Sequence, residues 1–420
     1  MEAVMDADLA GELRMLYPKV LGKTLRLAGG LADAEDAVQD AIERALESWP
    51  STGRPESGEA WLVRVAANCL RDRHRRARRE ARHGGAIETL SRMSPWVQGA
   101  IAKVEVARGW KDDLLRLLFA CCCPTLDPGE SAALALATIL GLSTAEIAQA
   151  FVVAPRSMDQ RLTRARRRLR DAGDYEPPRS DRAADRLGAV LATVYLLFNE
   201  GYWSTGDEAP IRAELCRLAP GLGRSLRDAF PVEPEVLGLL ALMTLHEARR
   251  PARMGAEGTP LPLPGQDRTL WDREAMAEGA ALVESALGMG SPGPFQIEAA
   301  ISAIHGRAAR AAETDWQEIA ELYAHLERLR PAPSVRVNRA FAVARARGPR
   351  AGLALLDERG PGGVEAYPYV HLVRGSLLEE LGDREGAAAA LERAEAHARN
   401  THERYQIRDR LMRLRGEDGT

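Results

Sequence analysis

Arginine stands at 156, 161, 164, 166, 167, 168 and 170, with Asp159 the only acid between Arg156 and Arg170. Guanidinium groups pair with phosphates, and arginine, glutamine and serine side chains also reach base edges in the major groove. A second basic block runs from Trp61 to His83. It carries arginine at 64, 71, 73, 75, 76, 78, 79 and 82 against Asp72 and Glu80. The formal net charge of the chain is −3, so the basicity is local. Two such blocks separated in sequence predict two contacts with a polyanion.

The pattern around each block says which element must carry it. Ser143 and Glu146 have the spacing of a capping box that opens a helix. Ile147 and Phe151 mark that helix's buried face. Pro155 suits the first turn of a second helix. There Met158, Leu162, Ala165 and Leu169 form an inward stripe. Arg156, Ser157, Gln160, Arg161, Arg164, Arg167 and Arg168 are left facing out. A helix, a short turn and a basic second helix form a helix-turn-helix, and the second is its recognition helix. The plainer reading is a solvated arginine face on an ordinary helix.

The other block follows an acidic helix. In ADAEDAVQDAIERALESW, Val38, Ile42, Ala45 and Trp49 face inward, with Asp36, Gln39, Asp40, Glu43 and Glu47 on other faces. Asp33, Glu35 and Asp36 sit in the first turn, where they complement the helix dipole. A Pro/Gly/Ser loop is expected near 48–58. After it, AWLVRVAANCLRDRHRRARRE begins apolar at Trp61, Leu62, Val65, Ala66 and Cys69 and ends basic. Such a helix anchors in a core at one end and extends onto phosphates at the other.

Length and composition remove several classes. A chain of 420 residues has room for two to four domains, and 45% hydrophobic residues suffice for large cores. The acidic start MEAVMDADLAGEL carries no leader. The longest apolar run, 132–142, is too short to span a bilayer. The five cysteines, Cys69, Cys121, Cys122, Cys123 and Cys216, lack the paired spacing of a zinc site. They read as reduced, buried residues, which points to a cytoplasmic setting. Gly22-Lys23-Thr24 ends like a phosphate-binding loop, but Tyr17 stands where that loop needs glycine and no strand leads in. With no nucleophile–base pair either, no catalytic residue, metal or cofactor is expected.

The order of acidic AEDAVQDA helix, loop, AWLVRVAAN…RDRHRR helix and LSTAEIAQAF…RLTRARRRLR resembles a sigma-70 family factor of the extracytoplasmic-function (ECF) class. The resemblance covers about residues 9–172. It implies an all-α chain with a sigma-2 domain at 1–82, a linker at 83–111 and a sigma-4 helix-turn-helix at 112–172. It further implies that Asp36, Gln39 and Asp40 dock on core RNA polymerase. The loop at 50–58 would capture a flipped base of the −10 element. Trp61, Arg64, Asn68, Arg71, Arg75 and Arg76 would melt and hold that element. Arg156, Ser157, Gln160, Arg161 and Arg164 would read the −35 element. The polymerase makes the bonds, so the chain itself would be non-catalytic. One departure is Val152, where the turn usually carries glycine.

The chain then continues past a linker, DYEPPRSDR. A helical extension is expected at 183–290 and tetratricopeptide-like repeats at 291–415. Gly348 and Gly382 lie 34 residues apart, each between apolar helical patterns. Gly375, Leu378, Gly382, Ala387, Leu391 and Ala394 fit the small and large positions of such a repeat; a generic helical bundle fits them too. The segment 251–267 reads as a surface loop. Tyr195, Phe198, Tyr202 and Trp203, beside Asn199 and Glu200, read as core aromatics or as a pocket. LLRLLFACC, YLLFNEGY, PEVLGLLALM, ARRPAR and TDW resemble the ECF subgroup with a long tetratricopeptide-like extension. That resemblance implies regulation in cis, with a protein or peptide as a further partner of the repeats. Two other readings compete: a helix-turn-helix regulator with a repeat-built sensor, and a helical enzyme centred on Asn199–Trp203. The acidic helix followed by the arginine helix discriminates most strongly for a sigma factor.

Overall fold

The computed structural model describes residues 2–28, 31–83, 113–123, 125–140, 142–151, 153–171, 184–202, 209–253, 261, 263–358, 367, 369–398 and 401–416. Eighteen α-helices and four short 3-10 turns make up the regular structure of these residues, with no strand among them. The fold is all-α, as the periodicity predicts. Two compact units divide at Ala229 and Phe230. The expected extension at 183–290 spans that division.

The first unit begins with α1 (Glu2–Leu25), α2 (Leu31–Thr52) and α3 (Gly58–His83), which pack pairwise. Ala34, Val38, Ala41, Ala45 and Trp49 bury one stripe of α2, and Leu62, Ala66, Cys69 and Leu70 bury one stripe of α3. Helix α2 runs further than the sequence suggests. The loop expected at 50–58 shrinks to about 53–57, because the helix continues through Pro50 to Thr52. Two causes are visible. Trp49 is buried and meets Trp61 edge-on at 5.5 Å. The Thr52 hydroxyl donates back to the Ser48 carbonyl at 2.8 Å, occupying an acceptor of the last turn. Gly22-Lys23-Thr24 lies inside α1, with Thr24 buried and Lys23 ion-paired to Glu59.

Four helices follow: α4 (Asp113–Cys121), α5 (Pro128–Leu140), α6 (Thr144–Ala150) and α7 (Pro155–Asp171). Helix α5 is apolar nearly all round because it is surrounded: α1, α4, α7 and α8 (Ala184–Tyr202) all pack on it. Helix α9 (Ala209–Ala229) covers α8 and reaches α4. The cysteine triplet lies in this core. Cys121, Cys122 and Cys123 are buried, and burial pushes the Cys122 thiol up to about 12. Its sulfur donates to the Thr193 hydroxyl of α8 at 3.4 Å. Phe198 of α8 is fully buried and serves the core; the Tyr202 and Trp203 side chains lie outside the described residues, as does Cys216.

The second unit chains its helices in sequence order. Helices α10 (Pro234–Ala248), α11 (Arg273–Gly288) and α12 (Pro294–Arg307) form a triad. Then come α13 (Trp316–Leu329), α14 (Pro333–Arg347), α15 (Pro349–Asp357), α16 (Tyr369–Glu380), α17 (Arg384–Ala396) and α18 (Thr401–Arg415), each packed on the next. Asp272, Asp315 and Asp383 cap α11, α13 and α17 through backbone N–H groups at 2.8–3.0 Å. Gly348 and Gly382 turn the chain between helices with φ of 94° and 79°, which a side chain would strain. Part of the segment 251–267 lies outside the described residues; the rest forms short 3-10 turns.

Candidate polymerase and promoter interface

The helix-turn-helix forms as its sequence dictates. The Ser143 N–H donates to Glu146 Oε2 at 2.7 Å, and the Glu146 N–H donates to Ser143 Oγ at 3.3 Å. This reciprocal pair satisfies two otherwise orphaned donors at the start of α6. Met158, Leu162, Ala165 and Leu169 are all buried on the inner face of α7. Arg156, Ser157, Gln160 and Arg164 stand exposed along its outer face. Arg161 is half-buried, its guanidinium 5.8 Å from the centre of the Phe151 ring. Val152 lies outside the described residues.

Not every arginine of this block is available to a partner. Arg168 donates to Glu130 Oε2 of α5 at 2.7 Å. Arg166 lies 3.8 Å from Glu35 Oε2 of α2. Glu130 and Glu35 lie 38 and 131 residues away in sequence, so the helical pattern carried no sign of either contact.

On α3, Arg64, Asn68, Arg71 and Arg75 are exposed, spaced four, three and four residues apart on one face. The side chain of Arg76 lies outside the described residues. Trp61 is half-buried at the start of this face, against Trp49. Arg73 points the other way. It donates to Asp36 Oδ2 at 3.1 Å and to Asp40 Oδ2 at 2.9 Å. Asp36 and Gln39 are exposed and Asp40 is half-buried. Gln39 also donates to Glu43 Oε1 at 3.3 Å. The acidic face of α2 and the basic end of α3 are therefore stapled together by one residue that sequence reasoning did not single out.

Helices α2, α5 and α7 meet at Glu35. Its carboxylate accepts from the Thr138 hydroxyl of α5 at 3.3 Å and faces Arg166 of α7. Burial raises its pKa, opposed by Arg166 and Thr138. Tyr17 of α1 is pushed up by the same burial, with the Glu35 charge adding to it. Among the described residues no group of three or more His, Cys, Asp or Glu side chains could hold a metal ion. No described helix is long and apolar enough to cross a membrane.

This geometry coincides with the regions matched by known families. Residues 13–80 match sigma-70 region 2, and residues 116–169 match sigma-70 region 4. Residues 186–287 match a family of unknown function, DUF6596. The chain is 34% identical over 168 residues to the ECF RNA polymerase sigma factor SigL of Mycobacterium tuberculosis, covering 38% of this chain and 88% of SigL. It is 29% identical over 205 residues to the ECF RNA polymerase sigma factor SigG of the same species, covering 44% of this chain and 55% of SigG. Over 404 residues it is 42% identical to an uncharacterized protein of Rhizobium meliloti, covering 96% of this chain and 95% of that one. No solved structure matches. The chain belongs to the sigma-70 family of RNA polymerase sigma factors, within its ECF class.

Proposed function

We propose that this chain binds bacterial core RNA polymerase through the acidic face of α2 and directs it to promoters. In this reading Asp36, Gln39 and Asp40 dock on the polymerase. Trp61, Arg64, Asn68, Arg71, Arg75 and Arg76 hold the −10 strand. Arg156, Ser157, Gln160, Arg161 and Arg164 read the −35 duplex. The observation that carries it is the match of region 2 and region 4 to two helices with exposed basic and amide-bearing faces. Acid opposite a basic partner helix gives register and on-rate; arginine along a displaced strand follows its backbone.

In this reading the extension regulates this activity through region 4, against which it packs. Arg166 on α7 touches Glu35, and Arg73 on α3 touches the adjacent Asp36. From those contacts Arg156 lies ten residues along α7 and Arg64 nine residues along α3, about 15 and 14 Å of helix at 1.5 Å per residue. Two separate promoter elements call for the two helices at separate positions, so this contact is read as a closed arrangement that opens on the promoter. Helix α8 packs on α4 and α5, with Arg186 donating to the Phe119 carbonyl at 3.3 Å, so the extension bears on region 4 directly.

Run-off transcription tests this. Core polymerase plus the full chain should initiate at a cognate promoter, and Arg64→Ala/Arg71→Ala should abolish initiation while retaining core binding. Initiation that is unchanged in that variant would remove α3 from the −10 contact.

A further inference from the structure

The second unit contains a cavity of about 280 Å³ that the transcriptional role leaves unused. Its wall is mostly apolar and aromatic, with Leu263, Ile319, Trp316, Tyr323 and Phe341 around it. Trp316 stands edge-on to Phe341 at 5.7 Å and to His305 at 5.3 Å. The TDW motif (314–316) falls here. Asp315 caps α13, and this places Thr314 and Trp316 on the cavity wall.

Two polar atoms on this wall have no partner among the described residues. Thr314 is 7% exposed and His305 is 9% exposed, yet Thr314 Oγ1 and His305 Nδ1 make no hydrogen bond with any described residue. Leaving such groups buried and unpaired costs free energy. A bound molecule that hydrogen-bonds them removes that cost.

The charge of the site is set by Arg268. Its guanidinium lies on the wall and donates to the His305 and Ala308 carbonyls at 2.6 and 2.5 Å, at the end of α12. It also lies 4.7 Å from the centre of the Trp271 ring, which fixes it in place. Among the described residues no carboxylate lines the cavity, although the Glu313 carboxylate acts on Arg268 from outside the wall. Burial first, and then the charges of Arg249 and Arg268, oppose protonation of His305. With Arg268 on the wall and no carboxylate among its described residues, an anion is favoured.

Size narrows the class. An engineered apolar cavity of about 150 Å³ holds benzene, and drug-sized ligands begin near 300 Å³. A single substituted ring fits between these limits. We propose that this cavity binds a small aromatic monocarboxylate. Its ring lies among Trp316, Tyr323 and Phe341, its carboxylate faces Arg268, and a ring hydroxyl pairs with Thr314 and His305.

The test uses the full chain and needs no polymerase, so it stands or falls separately from the transcriptional reading. Binding of 4-hydroxybenzoate, benzoate and 4-hydroxybenzamide is measured by calorimetry and by tryptophan fluorescence. Saturable binding of 4-hydroxybenzoate is expected, weakened about tenfold for each of the two analogues. Thr314→Val preserves shape and should weaken 4-hydroxybenzoate about tenfold while leaving benzoate unchanged. Phe341→Leu should weaken both acids. Three results would each overturn the proposal: no saturable binding of any probe at millimolar concentration, amide binding as tight as that of the acid, or binding indifferent to both substitutions.

Discussion

Arg73 of α3 donates to Asp40 of α2 at 2.9 Å, across the seam between the basic helix and the acidic helix. The same guanidinium reaches Asp36. Both carboxylates belong to the face proposed to dock on polymerase, so Arg73 occupies the place a cation of the polymerase would take.

Removing Arg73 should therefore favour docking. An ion pair this exposed contributes at most about 1 kcal/mol to stability, so Arg73→Ala should fold normally. Its affinity for core polymerase should rise two- to fivefold in a fluorescence titration. Asp36→Asn/Asp40→Asn should lower the same affinity at least tenfold with an unchanged circular dichroism spectrum. A loss of affinity in Arg73→Ala would instead make Arg73 a direct polymerase contact.

Glu35 sets a pH dependence on the closed arrangement. Burial raises its pKa in the closed unit, and exposure on opening would remove that cause. A raised pKa in the closed state means protonation favours closure. That contribution is fully present below the ordinary glutamate pKa and is lost as pH rises through the raised one. Glu35→Gln removes the buried charge, keeps an acceptor for Thr138, and should hold the unit closed at neutral pH. Small-angle scattering should then give a smaller radius of gyration for Glu35→Gln than for the natural chain in complex with promoter DNA, and transcription should fall. Higher transcription from this variant would contradict the closed-state role.

The exposed part of the recognition helix separates base contacts from phosphate contacts. Gln160→Ala should cost about 1–3 kcal/mol at one position of the −35 element and little when that base pair is changed. Arg164→Ala, if Arg164 binds phosphate, should weaken every sequence alike and lower the salt slope by about one. Arg161 differs because it leans on Phe151. Its replacement should lower the stability of the helix-turn-helix as well as its DNA affinity, which thermal melting reads directly.

His305 makes the second unit sensitive to acid. Burial lowers its pKa to about 4, with Arg249 and Arg268 adding to the shift. The unfolded chain takes up a proton near pH 6.5 and the folded chain does not until about pH 4. Stability is therefore complete above pH 6.5 and falls as pH drops from there toward 4, by up to about 3 kcal/mol. His305→Phe should flatten this limb in urea titrations at pH 7 and pH 4.5. An equally steep limb in the variant would assign the acid sensitivity to other groups.

Local patterns were legible in the sequence. The capping box at Ser143 and Glu146 and the stripe at Met158, Leu162, Ala165 and Leu169 depend on spacing within one or two turns. Each stands as spacing predicts. The inward faces of α2 and α3 followed for the same reason. Contacts between distant segments were not legible. Nothing near Arg73, Arg166 or Arg168 marks them as turning toward Asp40, Glu35 and Glu130. The end of α2 was misplaced because proline and serine usually punctuate a chain, whereas here a buried Trp49 and side-chain back-bonding carry the helix past them. The cavity was invisible because its polar atoms lie on segments whose partners are brought together only by packing.

The most direct test of the account is competition for core polymerase. Purified full-length chain is titrated against core polymerase carrying a fluorescent housekeeping sigma factor, alongside Asp36→Asn/Asp40→Asn. The account predicts saturable displacement by the natural chain, with at least tenfold weaker displacement by the variant. No displacement by the natural chain, even with Glu35→Arg added to open the closed unit, would contradict it.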